Sequence, residues 1–373
     1  MPSSPSAPDL RRKLPGRDLR YMSFATAPDD SYEDSALSGF VPKVSVVTPF
    51  YNTDAFLAAC IESVLGQTLR EIDYVLVDNA SSDDSRRIAE EYASRDSRIR
   101  FFHFDEHLPQ MANYNRALSL ADPRAPYCKV AQADDLLHRR CLEEMTALAD
   151  SNPDVTLVGA YAVDQDSVTV DGLDYFEVVV DGREVCRRYF FGGRYLFGSP
   201  TTHMYRMVDV RRGGQFYREG SPIADADAAM ELVLRGKLGF VHQVLSFLRT
   251  RPDSITTRRE GYNIDALARR VLLERYGRKV LDQQTFEQRQ KVLVRRHNRV
   301  LGEALLLRRP KQFWELHFST LADAGLRCSR LQIALGAVVV LFRWTLDLGT
   351  SIVSVNRWLK MRWASRSNSL DNG

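Results

Sequence analysis

The chain has 373 residues, 44% of them hydrophobic and 27% charged, a near-average globular composition that sets aside wholesale disorder and a polytopic membrane protein. Lys plus Arg outnumber Asp plus Glu by only 51 to 48, which excludes nucleic-acid binding by the chain as a whole and makes every charge argument local. Cys60, Cys128, Cys141, Cys186 and Cys328 are scattered without Cys-x-x-Cys spacing, and the N-terminus carries no apolar run of the secretory kind, so a reduced compartment on the cytosolic side is expected.

Residues 1–42 are rich in Pro, Ser, Asp and Ala and lack apolar periodicity, so they read as a flexible, disordered tail with too little burial to offset the entropy of ordering them. The β-branched run Val-Ser-Val-Val-Thr at 44–48, closed by Pro49, predicts a buried strand. Thr53 or Asp54 caps a helix in which Phe56, Cys60 and Val64 share a face and which Gly66 ends. A strand at Ile72–Val77 follows, and then Ser82-Asp83-Asp84 caps a helix containing Ile88 and Tyr92. The pattern continues with a strand at 99–104, a helix at 111–120 and a strand at 127–131.

Further on, the text predicts a helix at 136–148, a strand at 155–161 and an antiparallel insertion over 168–180 with turns at Asp171-Gly172 and Asp181-Gly182. A helix at 225–235, strands near Phe240 and Phe247, and long helical text from Ile264 to Leu307 complete the reading. Strands alternating with helices specify an α/β fold, Rossmann-like, with a mostly parallel mixed sheet covered on both faces. That sheet domain occupies 43–260, and a helical extension occupies 261–330.

The last segment, 331–373, differs in kind. Leu331–Phe342 is nearly all apolar, and Arg343, Arg357, Lys360 and Arg362 then appear among Trp344, Trp358 and Trp363. This twelve-residue run falls short of the roughly 20 apolar residues that span a bilayer. Trp with Lys and Arg suits a helix lying in a membrane interface, with 331–363 as the contact; packing on its own domain or on a second copy is the alternative.

Ligands of open α/β sheets bind at the carboxyl ends of the strands, and three polar clusters fall there. They are Thr48-Pro49-Phe50-Tyr51-Asn52, Asp78-Asn79-Ala80-Ser81-Ser82-Asp83-Asp84 and Gln132-Ala133-Asp134-Asp135. Such carboxylates can serve a nucleotide diphosphate, which needs partners for its base, its ribose hydroxyls and a charge-neutralising divalent cation. No Gly-x-Gly-x-x-Gly or Gly-x-x-x-x-Gly-Lys-Ser/Thr loop follows a strand, so dinucleotide and P-loop sites lack their main device. His103, His107, His138 and His203 form no metal-spaced pair with a nearby Cys and read as polar or core residues. Lys129 lies on an otherwise apolar strand and either reaches a ligand or snorkels at an edge.

From Val44 to about Thr256 the order of these clusters resembles family 2 of the inverting glycosyltransferases, whose fold is called GT-A. Residues 44–52 look like the family's opening strand and turn, and 77–84 like its Asp-Asp-Gly-Ser-x-Asp element. The resemblance implies a nucleotide-diphosphate sugar donor, a glycan or lipid-linked acceptor, and Mn2+ or Mg2+ as cofactor. It implies that Asp78 holds the nucleobase with Thr48, Tyr51 and Asn52 nearby, and that Asn115, in a stretch similar to the family's Ala-Arg-Asn-x-Gly helix, lies beside the diphosphate. Asp134 falls on the last, metal-binding aspartate of the family's Asp-x-Asp motif, while Gln132 replaces the first and keeps hydrogen-bonding capacity without charge. The acceptor's base falls on Asp225, with Asp227 in reserve and Ala224 where relatives often carry Glu. Arg249 and Arg251 match a loop that can close over the diphosphate, and Ser199, Thr201 and His203 line the acceptor side. Gln132 and Ala224 also keep open a protein that binds nucleotide or glycan without turnover.

Overall fold

The computed structural model describes residues 40–164, 167–249 and 261–346. The tail read over 1–42 therefore lies almost wholly outside the described residues, as do Arg251, Trp358 and Trp363.

Ten strands form one mixed sheet in the order β3-β2-β1-β4-β9-β6-β10-β5, with β7 on β6 and β8 on β10. Four neighbours run parallel: β3 (Ile99–Phe104), β2 (Ile72–Asn79), β1 (Val44–Phe50) and β4 (Tyr127–Val130). Beyond them β9 (His203–Arg206) is antiparallel to both β4 and β6 (Val155–Asp164), and β10 (Lys237–Leu248) returns to run parallel to β6. β5 (Leu136–Leu137), β7 (Ser167–Val168) and β8 (Val179–Asp181) are short antiparallel additions. Every residue of β1 and β2 is buried, as expected of strands covered on both faces.

Alternation divides the core. Val44, Val46 and Phe50 face one apolar cluster with Leu57, Cys60, Ile61 and Val64 of α1 (Asp54–Leu65), while Val47 faces the other. α2 (Ser85–Arg95) and α4 (Cys141–Ser151) join α1 on the first side. α3 (Gln110–Ser119), α5 (Gly182–Phe190), α6 (Met207–Val210) and α7 (Ala224–Val233) contribute to the second. So do Leu267, Val271, Leu272 and Tyr276 of α8 (Ile264–Val280) and Phe286 and Leu293 of α9 (Gln283–Leu306). One apolar cluster thus takes in residues of both the sheet and the helical extension. α10 (Lys311–Asp323) and α11 (Arg330–Leu346) complete the described chain. α11 crosses α9 closely: a Cβ on Gly302 would lie 2.2 Å from the Ala337 nitrogen, and one on Gly336 would lie 2.1 Å from the Asn298 oxygen. No helix among the described residues is long and apolar enough to cross a membrane.

Four local expectations are corrected. The helix expected from 136 begins at Cys141, because Leu136 and Leu137 pair with Phe247 and Ser246 instead. Asp181-Gly182 is no hairpin turn. Asp181 caps α5, its Oδ1 accepting the N–H groups of Arg183 at 2.9 Å and Glu184 at 3.3 Å. Glycine is required at 182 because a Cβ there would meet the Val233 oxygen at 1.6 Å. The strands near Phe240 and Phe247 are one strand with register shifts between Val241 and Ser246. The long helical text breaks at Leu281, where Asp282 caps a new helix by accepting the Thr285 N–H at 2.9 Å.

Candidate functional site

The parallel register aligns Phe50 with Asp78 and Val47 with Val130, so the three polar clusters emerge from adjacent strands at one edge of the sheet. The first two are stitched together. Asn52 donates its backbone N–H to Ser81 Oγ at 3.0 Å, and its Oδ1 accepts the Ser82 N–H at 2.8 Å. The N–H groups of Thr53 and Asp54, which open α1, donate to Ser85 Oγ at 2.8 Å and Asp83 Oδ2 at 3.1 Å. The cap of α1 is thus supplied by the neighbouring loop and not by Thr53 or Asp54 themselves.

Both turns use left-handed backbone, at Asn52 (φ 48°) and Ala80 (φ 63°). Ala80 stands where the resembled motif has glycine, and its Cβ costs about 1 kcal/mol in that conformation. Ala80→Gly is therefore expected to raise stability by about 1 kcal/mol, read as a shift in the denaturant midpoint at constant slope.

Asp78 is fully buried. Its Oδ1 accepts the Ser81 N–H at 3.0 Å, and His103 Nδ1 lies 2.7 Å from its Oδ2. His103 Nε2 is also 3.0 Å from Asp105, so this ring, set aside on sequence, orients the Asp78 carboxylate. Tyr51 is half exposed and packs on the His107 ring with centroids 4.2 Å apart. Thr48 is enclosed, its Oγ1 3.1 Å from the Tyr74 hydroxyl, and belongs to the frame under the turn.

The third cluster is held from behind. Ser199 Oγ donates to Gln132 Oε1, and Thr201 Oγ1 donates to Asp135 Oδ2 at 2.6 Å. The Arg249 backbone N–H donates to Asp135 Oδ1 at 3.1 Å, while the Arg249 guanidinium lies 5.3 Å from the Phe56 ring centroid. Burial pushes the Asp135 carboxyl up to about 7, with Thr201 opposing the shift and the neighbouring charge of Asp134 adding to it. Lys129 neither reaches solvent nor snorkels. It is fully buried and donates from Nζ to the carbonyls of Thr201 at 2.6 Å and His203 at 3.0 Å. That burial lowers its pKa from the ordinary lysine value.

Thr201 and His203 are enclosed rather than turned toward an acceptor. His203 Nε2 is 3.1 Å from the Leu196 carbonyl, and burial lowers its pKa to about 4. Asn115 is likewise spoken for. Its amide exchanges two 2.8 Å hydrogen bonds with the Tyr217 backbone, fixing the segment that leads to α7.

The two aspartates of α7 have opposite surroundings. Asp227 is buried and accepts from Arg275 Nη1 at 2.8 Å, Arg218 Nε at 3.0 Å and the Tyr276 hydroxyl at 3.0 Å. Among the described residues no such cation pairs with Asp225, and its hydrogen bond comes from the N–H of Ala226, at 2.8 Å. Burial raises its pKa to about 6, against the helix N–H groups that lower it. Asp225 is close enough to Tyr195, Tyr205 and Tyr217 to raise the pKa of each. Tyr217 packs edge-on against Tyr114, and Tyr114 in turn faces Gln132 and Asp134. Aromatic side chains therefore lie between Asp225 and the strand-end residues Gln132 and Asp134.

Among the described residues no three His, Cys, Asp or Glu side chains converge as a metal cage. With Asp135 committed to Thr201 and Arg249, a divalent cation here would be held by Asp134 and by oxygens of a diphosphate ligand, a donor set that suits Mg2+ or Mn2+.

Residues 45–212 match the model of "Glycosyl transferase family 2". The chain is 25% identical over 248 residues to the glycosyltransferase GlyG of Streptococcus pneumoniae, covering 64% of this chain and 80% of that relative. Among solved structures it is similar to S. aureus TarS 1-349 in complex with UDP-GlcNAc, with TM-score 0.56, 16% identity, and coverage of 76% of this chain and 80% of the other. It also resembles a mannosyltransferase of Pyrobaculum calidifontis in complex with GDP-Man and Mn2+, with TM-score 0.50, 15% identity, and coverage of 89% and 88%.

Proposed function

We propose, from the match of residues 45–212 to the family 2 glycosyltransferases, that the chain is an inverting glycosyltransferase of bacterial surface-glycan synthesis. It moves a sugar from a nucleotide-diphosphate donor to a hydroxyl of a glycan or lipid-linked acceptor. The observation that carries the reading is the contrast on α7: Asp227 is neutralised by Arg218 and Arg275, while Asp225 is partly buried and carries a pKa raised to about 6. A carboxylate of that kind is a general base that is ionised at neutral pH and still basic enough to take a proton.

In the proposed reaction the acceptor oxygen bonds to the anomeric carbon as the bond from that carbon to the diphosphate oxygen breaks. The electron pair leaves with the diphosphate, and the hydroxyl proton passes to Asp225. A single displacement needs no protein nucleophile and inverts the anomeric centre. Asp78 orients the nucleobase, Tyr51 and Asn52 border it, Gln132 reaches the ribose, and Arg249 approaches the diphosphate. Asp134 would hold a divalent ion, which would supply neutralisation of the charge on the leaving diphosphate. Relatives solved with UDP-GlcNAc and with GDP-Man and Mn2+ support this donor class.

The direct test is a thermal-shift panel of UDP, GDP, dTDP and CMP, with and without Mn2+, on the wild type and Asp134→Ala. Ligand at about 100 times its Kd stabilises the native state by about 2.7 kcal/mol, so one diphosphate should give a metal-dependent shift of several degrees that Asp134→Ala removes. No shift with any nucleotide overturns the donor assignment. A shift without donor hydrolysis or transfer would favour binding without turnover.

A further inference from the structure

The two faces of α11 are unlike. Ile333, Ala337 and Val340 are buried, and the close Gly302–Gly336 crossing seats this side of the helix on α9. The opposite side carries Leu331, Leu335, Val338 and Phe342, at 68%, 57%, 61% and 62% exposure. These positions fall at i, i+4, i+7 and i+11, one stripe of a helix, about 16 Å long at the α-helical rise. A row of large apolar side chains held in water on a firmly seated helix marks an interaction surface.

Charge identifies what it meets. Residues 261–373 carry 20 Lys plus Arg against 9 Asp plus Glu, although the whole chain is almost balanced, so the rest of the protein is net acidic. Arg330 and Arg343 bracket the stripe, and three of the four tryptophans, Trp344, Trp358 and Trp363, follow it in the sequence. Pairing two copies through this face would bring together two segments of net positive charge. An anionic lipid surface offers apolar depth for the stripe, opposite charge for the Lys and Arg, and an interface in which tryptophan is favoured.

We propose that α11 docks the enzyme on the surface of an anionic bilayer, the apolar stripe entering the headgroup boundary and the basic residues around it meeting acidic lipid. An apolar helix face and a net positive charge in the segment that carries it are the two signals that stable peripheral binding requires. The inference deepens the functional reading by placing the enzyme where a lipid-linked acceptor is presented, and it rests on the helix alone, independently of Asp225.

Flotation of the full chain with vesicles tests it, using phosphatidylcholine alone or with about a third phosphatidylglycerol, at low and high salt. The wild type should float with the anionic vesicles, about tenfold less with neutral ones, and lose binding in high salt. Leu335→Glu with Val338→Glu should reduce binding about tenfold or more, whereas Val208→Glu, an exposed apolar position on α6, should not. Circular dichroism melting and the donor-induced thermal shift should be the same for both variants, which separates this inference from the catalytic reading. Equal flotation of the Leu335/Val338 variant and wild type overturns the proposal. So does a wild-type dimer, seen by light scattering, that the variant splits without either protein binding vesicles.

Discussion

Asp225→Asn is expected to lower kcat by about 10^2 to 10^4-fold while leaving the metal-dependent donor shift in place. The amide keeps the shape of the side chain and cannot take the acceptor proton. The pH dependence carries the assignment. With its pKa raised to about 6, the wild-type base is protonated below that value, so kcat should rise with pH through about 6 and level off above it. The residual activity of the variant should lack that limb.

The same substitution should stabilise the protein. Asp225 has a folded-state pKa above the ordinary 3.8, so the folded state binds its proton more tightly than the unfolded state does. That contribution is present at low pH and is lost as pH rises to about 6, leaving the ionised group as a cost of order 3 kcal/mol at neutral pH. Asn removes the cost, and a melting temperature higher by several degrees at pH 7.5, converging with wild type near pH 4, is the expected result. A variant with wild-type kcat, or one losing activity together with stability, would remove Asp225 from the base role.

Asp227→Ala should do the reverse, at about 3–5 kcal/mol of lost stability. It strips the counter-ion from Arg275, which is 12% exposed, and a hydrogen-bond acceptor from Tyr276. Chemical denaturation at pH 7.5 reads the loss directly. Catalytic loss in this variant should follow unfolding and disappear when activity is measured well below its melting temperature. A preserved melting temperature with kcat reduced as in Asp225→Asn would instead make Asp227 the base.

The parallel half of the sheet was legible because its signals are local. A β-branched run closed by Pro49 can pack only as a buried strand, and polar residues directly after such strands can only gather at their carboxyl ends. What separated Asp225 from Asp227 was not local. Both sit in the first turn of α7, and they differ through Arg218, Arg275 and Tyr276, of which the last two are about 50 residues away. Lys129 escaped for the same reason, since the carbonyls that receive its ammonium lie on a segment 72 to 74 residues on. His203 carried the signal of a polar residue in a polar stretch, yet strand alternation turns it inward against Leu196. α5 was missed because its start depends on the close approach of the chain at Val233, which makes Gly182 obligatory there, while its text resembles a turn.

The tie from Asp227 to Arg275 and Tyr276 bears on how this protein can be recombined. A chimera joining its sheet to the C-terminal helices of a relative would strand a buried carboxylate on the helix that bears the proposed base, unless the donor helix brings an arginine and a tyrosine at adjacent positions. The two halves are thus not interchangeable cassettes: exchange across residue 260 must carry α7 together with α8, or rebuild that anchor on the new side.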